Sequence, residues 1–201
     1  MLARAAAAAL VLAATMAPSH AAGSNRTDAR FQALYQSEWK WRDAEFPDDE
    51  DSQRTVHDHL PKVDPATQEI RLRYWENVHR QLEGIARAKL SPPEQLNYDV
   101  YRPQIEVLIA SQRFRDFEMP ANADTTFWTS LGYTARRPFR TQQDYENWLK
   151  QLRDVPRYFH EQMDEMRAGL KRGFTPPQVT LKGRDASITA ITAAAPAENV
   201  F

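Results

Sequence analysis

The chain has 201 residues, with 26 Lys and Arg, 27 Asp and Glu, no cysteine and a formal net charge of −1. This near-neutral balance argues against a nucleic-acid binder that relies on a basic surface. The lack of cysteine excludes disulfides, thiolate metal ligands, a catalytic thiol and a lipid-modified cysteine. The length suits one domain, and the hydrophobic content of 42% is that of a globular protein.

The first segment, residues 1–21, has the pattern of a secretory signal peptide. Arg4 supplies the positive charge, residues 5–16 form a short apolar run, and Ser19 and Ala21 are small residues at the −3 and −1 positions of a cleavage site. We expect cleavage after Ala21. The mature bacterial protein should then be periplasmic or secreted, with no stable membrane anchor. The alternative is an Ala-rich N-terminal helix that stays attached.

The remaining chain predicts an all-α fold, an array of about five amphipathic helices without a convincing strand. In the first helix, Thr27 or Asp28 is the candidate cap, and apolar residues recur near helical spacing. They are Phe31, Leu34, Tyr35, Trp39 and Phe46. The acidic run at residues 47–51 ends this helix, and we interpret it as a solvated linker rather than a metal site.

The next two helices each begin with a capping residue followed by proline. Asp64 precedes Pro65, and Ser91 precedes Pro92. Pro103 predicts a kink in the third helix, or a helix that starts late. The predicted buried residues are Ile70, Tyr74, Val78, Leu82 and Ile85 in the second helix and Leu96, Val100, Ile105, Leu108, Ile109 and Phe117 in the third.

A long connection is expected at residues 119–139, where aromatic residues either line a cleft or pack against each other. Thr141 and Asp144 then form a capping-box pattern at the start of a fourth long helix, which Pro156 should bend and Gly173 should end. Its predicted buried residues are Tyr145, Trp148, Leu149, Leu152, Phe159, Met163, Met166 and Leu170. Thr175-Pro176-Pro177 predicts one more helix start.

The sharpest match to a catalytic motif is the stretch His160-Glu161-Gln162-Met163-Asp164. In the HExxH helix of zinc peptidases, two histidines one turn apart bind the metal and the glutamate acts as a base. Here Asp164 replaces the second histidine, and Met163 belongs to the apolar stripe. We therefore interpret the stretch as a surface helix and reject His160, Glu161 and Asp164 as metal ligands, which leaves no catalytic residue assigned in the chain.

A second candidate is His57-Asp58-His59, which lies in a predicted loop. The two histidines could bind a metal only with ligands from elsewhere, among which His79 is a candidate donor. Solvent-exposed loop histidines are the favoured interpretation. The sequence contains no GxSxG, P-loop or GxGxxG motif.

Several short stretches, in this order, resemble the N-terminal part of the bacterial domain-of-unknown-function 885 family. The stretches are Leu60-Pro61-Lys62-Val63-Asp64-Pro65, Asn97-Tyr98-Asp99-Val100-Tyr101-Arg102, Asp144-Tyr145 with Trp148 and Leu152, Pro156-Arg157-Tyr158-Phe159, and Gly173-Phe174-Thr175-Pro176-Pro177-Gln178-Val179. The resemblance extends over residues 31–179.

The resemblance implies a longer, largely helical, exported protein related to zinc-dependent peptidases, with its HExxH-like helix and a later glutamate-bearing segment far towards the C-terminus. Residues 22–201 are then the N-terminal helical part of such a metallopeptidase-like domain, truncated at its C-terminal end. No cofactor is expected in this chain, and zinc is expected in the full-length parent. The expected partners are the missing remainder of the domain and a peptide substrate.

Two functions follow as alternatives. The chain is either a scaffold or cleft-wall segment of a peptidase-like hydrolase, or a non-catalytic periplasmic helical binding module that uses the aromatic connection at residues 119–139. If the chain is such a segment, it should expose apolar surface whose partners are missing. The candidates for this surface are Tyr74, Trp75, Phe127, Trp128 and residues 181–191.

Overall fold

A computed structural model describes residues 25–46, 54–122, 125–195 and 197–198. Within these ranges the predicted all-α class is confirmed, because the chain forms helices and no strand. The helices are α1 (Arg26–Glu45), α2 (Pro65–Glu83), α3 (Pro92–Phe114), α4 (Thr129–Arg136), α5 (Gln142–Lys171), α6 (Gln178–Leu181) and α7 (Ala186–Thr192). The proposed signal peptide and the acidic run at 47–51 lie outside the described residues.

Side-chain caps fix two helix starts where the sequence predicts them. Asp64 accepts a hydrogen bond from the backbone N–H of Thr67 at the start of α2, and Thr141 and Asp144 form a reciprocal capping box at the start of α5. At α1 the prediction is wrong by two or three residues, because the cap is Asn25. The carboxamide of Asn25 precedes the helix and reaches the exposed N–H groups of its first turn. Thr27 and Asp28 cannot cap these groups, because both residues already lie inside the helix.

The main core lies between α1, α2 and α3. It is centred on Phe31, Trp75, Val78, Leu82 and Ile105, and each of these side chains is at most 2% exposed. The predicted stripe of α2 is shifted, because Ile70 is 51% exposed while Trp75 is buried.

The predicted unpaired surface at Tyr74 and Trp75 is therefore wrong. The indole N–H of Trp75 donates a hydrogen bond to Glu38 at 3.2 Å inside the core. Tyr74 is partly buried and stacks on Trp41, with ring centroids 3.7 Å apart.

Helix α3 continues through Pro103, so the prediction of a late start is wrong. Pro103 is exposed, and its ring therefore projects away from the core. Leu96 and Val100, which were predicted to be buried, are 65% and 54% exposed, while Tyr98, Ile105 and Ile109 face α2 and α1. The buried side of α3 is thus rotated relative to the predicted stripe.

A second core joins the predicted connection at 119–139 to α5. The connection contains a helix of its own, α4, and its residues Phe127 and Trp128 pack against this core, whereas Tyr133 is 55% exposed. The rings of Phe127 and Phe159 lie 4.9 Å apart, and those of Phe127 and Trp128 lie 4.8 Å apart. Phe127 and Trp128 are therefore partly buried in this cluster rather than unpaired.

The buried face of α5 is largely polar, in contrast to the predicted apolar stripe. Tyr145, Leu149 and Leu170 are at least half exposed, whereas Gln151, Gln162 and Glu165 are buried. In the first half of the helix, the reason is that Gln151 and its polar neighbours pack on residues 54–63, an irregular segment that we call the strap, whose backbone polar groups need partners.

Side chains one turn apart along α5 supply those partners. Asn147 and Gln151 donate hydrogen bonds to the backbone carbonyls of Val56 and His57 at 2.8 and 2.7 Å. Further along the helix, Asp154 and Arg157 bind the N–H and the carbonyl of Leu60, and Glu161 binds the N–H of Val63. The polar residues of α5 thus supply hydrogen-bond partners to the backbone of a segment without secondary structure, in which Val56 and Leu60 are buried.

Candidate functional site

An apolar groove of about 750 Å³ runs between α1 and α3. Three aromatic rings lie in its wall, with centroids 5.2 Å apart for Phe31 and Tyr35 and 6.0 Å apart for Phe31 and Tyr101. Trp39 and Leu96 also line the groove and are 61% and 65% exposed. A groove of this size, with an aromatic wall and exposed apolar side chains, is typical of a surface that binds apolar groups.

Glu38 places one buried carboxylate in this groove. Its side chain is fully buried and accepts hydrogen bonds from Arg42 at 2.8 Å, from the indole of Trp75 at 3.2 Å and from the hydroxyl of Tyr101 at 3.4 Å. Burial, reinforced by the Glu38 carboxylate, raises the pKa of Tyr101, so this hydroxyl remains a donor at neutral pH. Because Glu38 already has three donors, it stabilises the groove and holds α1, α2 and α3 together.

Glu38 is not among the candidate residues that the sequence singled out, and its role was missed. The signal that could have found it is its spacing, since Phe31, Leu34 and Glu38 recur at i, i+3 and i+7 and so share one helix face. Arg42 follows one turn later and supplies the neutralising charge.

The structure does not bring His160, Glu161 and Asp164 together as a metal site. His160 is exposed, and Asp164 is exposed and pairs with Arg167 at 2.6 Å. The Glu161 carboxylate binds Arg157 at 2.7 Å and the N–H of Val63 at 2.9 Å. One of its oxygens, Oε2, therefore makes both contacts and holds the strap on α5.

The other three histidines among the described residues lie on two different elements. His57 and His59 lie on the strap, where His59 contacts Asp58 at 2.8 Å, while His79 lies on α2 beside Glu106 at 3.4 Å. Among the residues that the structure describes, no group of three or more His, Cys, Asp or Glu side chains could hold a metal ion.

A pair of buried carboxylates, Glu118 and Glu165, lies where α5 meets the 3-10 turn Asp116–Glu118. Arg115 and Arg172 pair with Glu118, whereas one carboxylate oxygen of Glu165 has no hydrogen-bond partner in the described structure. Burial, together with the nearby Glu118 charge, raises the pKa of Glu165 to about 7. Neither residue stands out in the sequence, because their burial comes from contacts between α5 and the 3-10 turn, which are distant in the chain.

Comparison with known proteins identifies the family of the chain. The family model described as "Bacterial protein of unknown function (DUF885)" matches residues 47–201. The chain belongs to the DUF885 family. The match begins after α1 and therefore includes the strap, α2, α3 and α5 of this DUF885 protein.

No curated protein and no solved structure matches this DUF885 chain. In the described part of the chain, none of the helices combines the length and the apolar character needed to cross a membrane.

Proposed function

We propose that this DUF885 chain is a scaffold and cleft-wall segment of an exported, zinc-dependent peptidase-like hydrolase. The family match shows membership of DUF885, and the relation to zinc-dependent peptidases is what the resemblance implies. The observation that carries the role is the apolar groove between α1 and α3. Its occupant in this proposal is the apolar part of a peptide substrate. The zinc, and the water that it would activate for attack on a peptide carbonyl, belong to residues other than those described here.

The geometry of the groove supports binding rather than catalysis. Trp39 and Val100 offer apolar surface at 61% and 54% exposure, while the buried Glu38 is already occupied by its three donors. Burying an apolar side chain of a substrate against such residues contributes about 1.5–3 kcal/mol. The segment would therefore position a substrate, and the chemistry would take place elsewhere in the enzyme.

The alternative of a binding module that acts through the connection at 119–139 has less support. Phe127 packs on Tyr158 and Phe159, and the indole of Trp128 donates a hydrogen bond to Ser187 at 2.9 Å. Both aromatic side chains are thus engaged within the chain, and the α1/α3 groove offers the larger exposed apolar surface.

The first experiment reads the genomic frame beyond the codon for Phe201. A continuing frame that encodes HExxH and a downstream glutamate supports the proposal. A stop codon followed by unrelated sequence contradicts it and directs attention to the isolated helical segment.

The second experiment measures hydrolysis of a fluorogenic peptide library by the protein that the complete frame encodes. We expect a chelator to abolish hydrolysis and Trp39→Ala/Val100→Ala to raise KM about tenfold with little change in kcat, because the groove binds the substrate without reacting with it. Ile70→Ala is the matched control, since Ile70 is 51% exposed on α2 and does not line the groove. Equal KM values for the groove variant and the wild type would contradict the proposed role of the groove.

A further inference from the structure

A second, smaller cleft of about 390 Å³ lies where the strap crosses the middle of α5. We call it the cationic cleft. Basic and acidic side chains line it together, namely Lys62, Lys150, Arg153 and Arg157 with Asp58 and Asp154, alongside Leu60 and His59. Four basic side chains thus face two carboxylates, and Glu161 beside the cleft also pairs with Arg157 at 2.7 Å, which leaves a local excess of one positive charge.

Both carboxylates of the cleft are already neutralised. Asp154 binds Arg157 at 2.6 Å and the backbone N–H of Leu60 at 3.0 Å, and Asp58 binds His59 at 2.8 Å and Lys150 at 3.5 Å. The hydrogen bonds from Arg157 and from His59 lower the pKa values of Asp154 and Asp58, respectively. Both carboxylates thus already have cationic partners, and neither of them pairs with Lys62 or Arg153.

Lys62 and Arg153 are the two cations of the cleft that pair with neither of its carboxylates. Both side chains are exposed, and neither forms an ion pair or a side-chain hydrogen bond with the described residues. Lys62 belongs to the strap and Arg153 to α5, and both side chains line the cleft. A guanidinium with all its N–H donors available is the group that binds carboxylate or phosphate oxygens in pairs.

The floor between these two cations is rigid. Leu60 is 7% exposed, and its N–H and carbonyl are both fixed by α5, through Asp154 and Arg157. Arg71, itself 2% exposed, donates a hydrogen bond to the carbonyl of Lys62 at 2.7 Å and holds the backbone of that residue. The cleft therefore exists before a ligand arrives, which reduces the entropy lost on binding.

We propose that the cationic cleft is a binding site for an oxyanion group, a carboxylate or a phosphate, held by Arg153 and Lys62. The site is separate from the α1/α3 groove and does not depend on the hydrolase proposed above. The carboxylate of an acidic peptide and a free phosphate share the required chemistry, and the experiment distinguishes between them.

The test is calorimetric titration of the purified chain with inorganic phosphate and, separately, with tri-glutamate, at constant ionic strength balanced with chloride. We expect saturable binding of at least one of the two, and Lys62→Ala/Arg153→Ala should weaken it about tenfold or more, because two charge-assisted contacts are lost. Arg153→Gln alone should give a smaller loss. Since both residues are exposed, the variants should unfold at the same urea concentration as the wild type.

The matched control is Lys171→Ala/Lys182→Ala, which removes the same charge from two exposed lysines outside the cleft. Control binding that stays within about twofold of the wild type supports a defined site, since remote charges are screened. Equal weakening in both double variants, or the absence of saturable binding of either probe, would overturn the proposal. Binding of phosphate alone identifies a phosphate site, and binding of tri-glutamate identifies a site for acidic peptides.

Discussion

At the scale of single residues, the structure contains charged groups inside helices that the sequence presents as ordinary surface positions. Glu38, Arg71 and Glu165 are each at most 3% exposed. Glu38 and Arg71 are surrounded by hydrogen-bond partners, which offset the free energy of removing a charge from water. Glu165 differs, because one of its oxygens has no partner among the described residues.

This difference predicts a pH-dependent stability. An unfolded chain titrates a glutamate near 4.5, whereas the folded chain titrates Glu165 at about 7. Between these pH values the folded state binds more protons, so the free energy of unfolding decreases as the pH rises, and the loss is complete above pH 7. Glu165→Gln should therefore stabilise the protein at pH 8, by at most roughly 3 kcal/mol, with a much smaller gain at pH 5.

Urea unfolding at pH 5 and pH 8 measures this effect. Glu146→Gln is the control, because Glu146 is exposed on the same helix, and we expect it to keep the pH dependence of the wild type. If the free energy of unfolding of Glu165→Gln depends on pH in the same way as that of the wild type, the raised pKa of Glu165 is not the cause of the pH-dependent stability.

At the scale of helices, α5 is positioned by close backbone contact at Gly169. A Cβ atom at this position would lie 2.7 Å from the carbonyl oxygen of Glu118 and 2.9 Å from that of Phe174. Both are backbone atoms, so neither can move aside by changing a side-chain rotamer. Glycine at this position lets the 3-10 turn Asp116–Glu118 pack directly on the helix.

We therefore expect Gly169→Ala to lower the free energy of unfolding by about 1–3 kcal/mol, as overpacking does. Gly132→Ala in α4 is the matched control, since the nearest atom to its Cβ would be the Arg136 side chain at 3.5 Å. In that helix alanine should be neutral or stabilising by up to about 1 kcal/mol. Urea unfolding of both variants checks the prediction, and similar effects at the two positions would contradict it.

At the scale of the whole molecule, the proposed export depends on residues 1–21, which lie outside the described structure. We expect the mature protein, isolated from the producing bacterium, to begin at Ala22, because small residues stand at the −3 and −1 positions. Mass spectrometry of the N-terminal peptide measures this. Ala21→Leu should block cleavage, whereas Ala13→Leu, within the apolar run, should leave it unchanged. A mature protein that retains Met1 would contradict the proposal.

The packing of the helices in the whole molecule also decides which apolar residues are exposed. The sequence predicted unpaired surface at Trp75, Phe127 and Trp128, yet these residues pack inside two cores. The exposed apolar surface lies instead at Trp39, Leu96 and Val100, along the α1/α3 groove. Periodicity alone identifies an amphipathic helix more reliably than the side of the helix that becomes buried.

The sequence by itself determined the helical class, the family resemblance and those helix boundaries that depend on local chemistry. The cap at Asp64, the capping box at Thr141 and Asp144, and the left-handed Gly173 after α5, with φ +76°, are interactions within a few residues and can be read from their order.

Only the tertiary structure decided which faces are buried and where polar groups meet. The strap contacts α5 across more than 80 residues of sequence, as in the 2.8 Å hydrogen bond from Asn147 to Val56, so no local pattern could reveal it. The same applies to the cationic cleft, which Lys62 and Arg153 line together only after folding. Local hydrogen bonding is encoded in adjacent residues, whereas packing and electrostatic fields depend on residues that are distant in the chain and close in space.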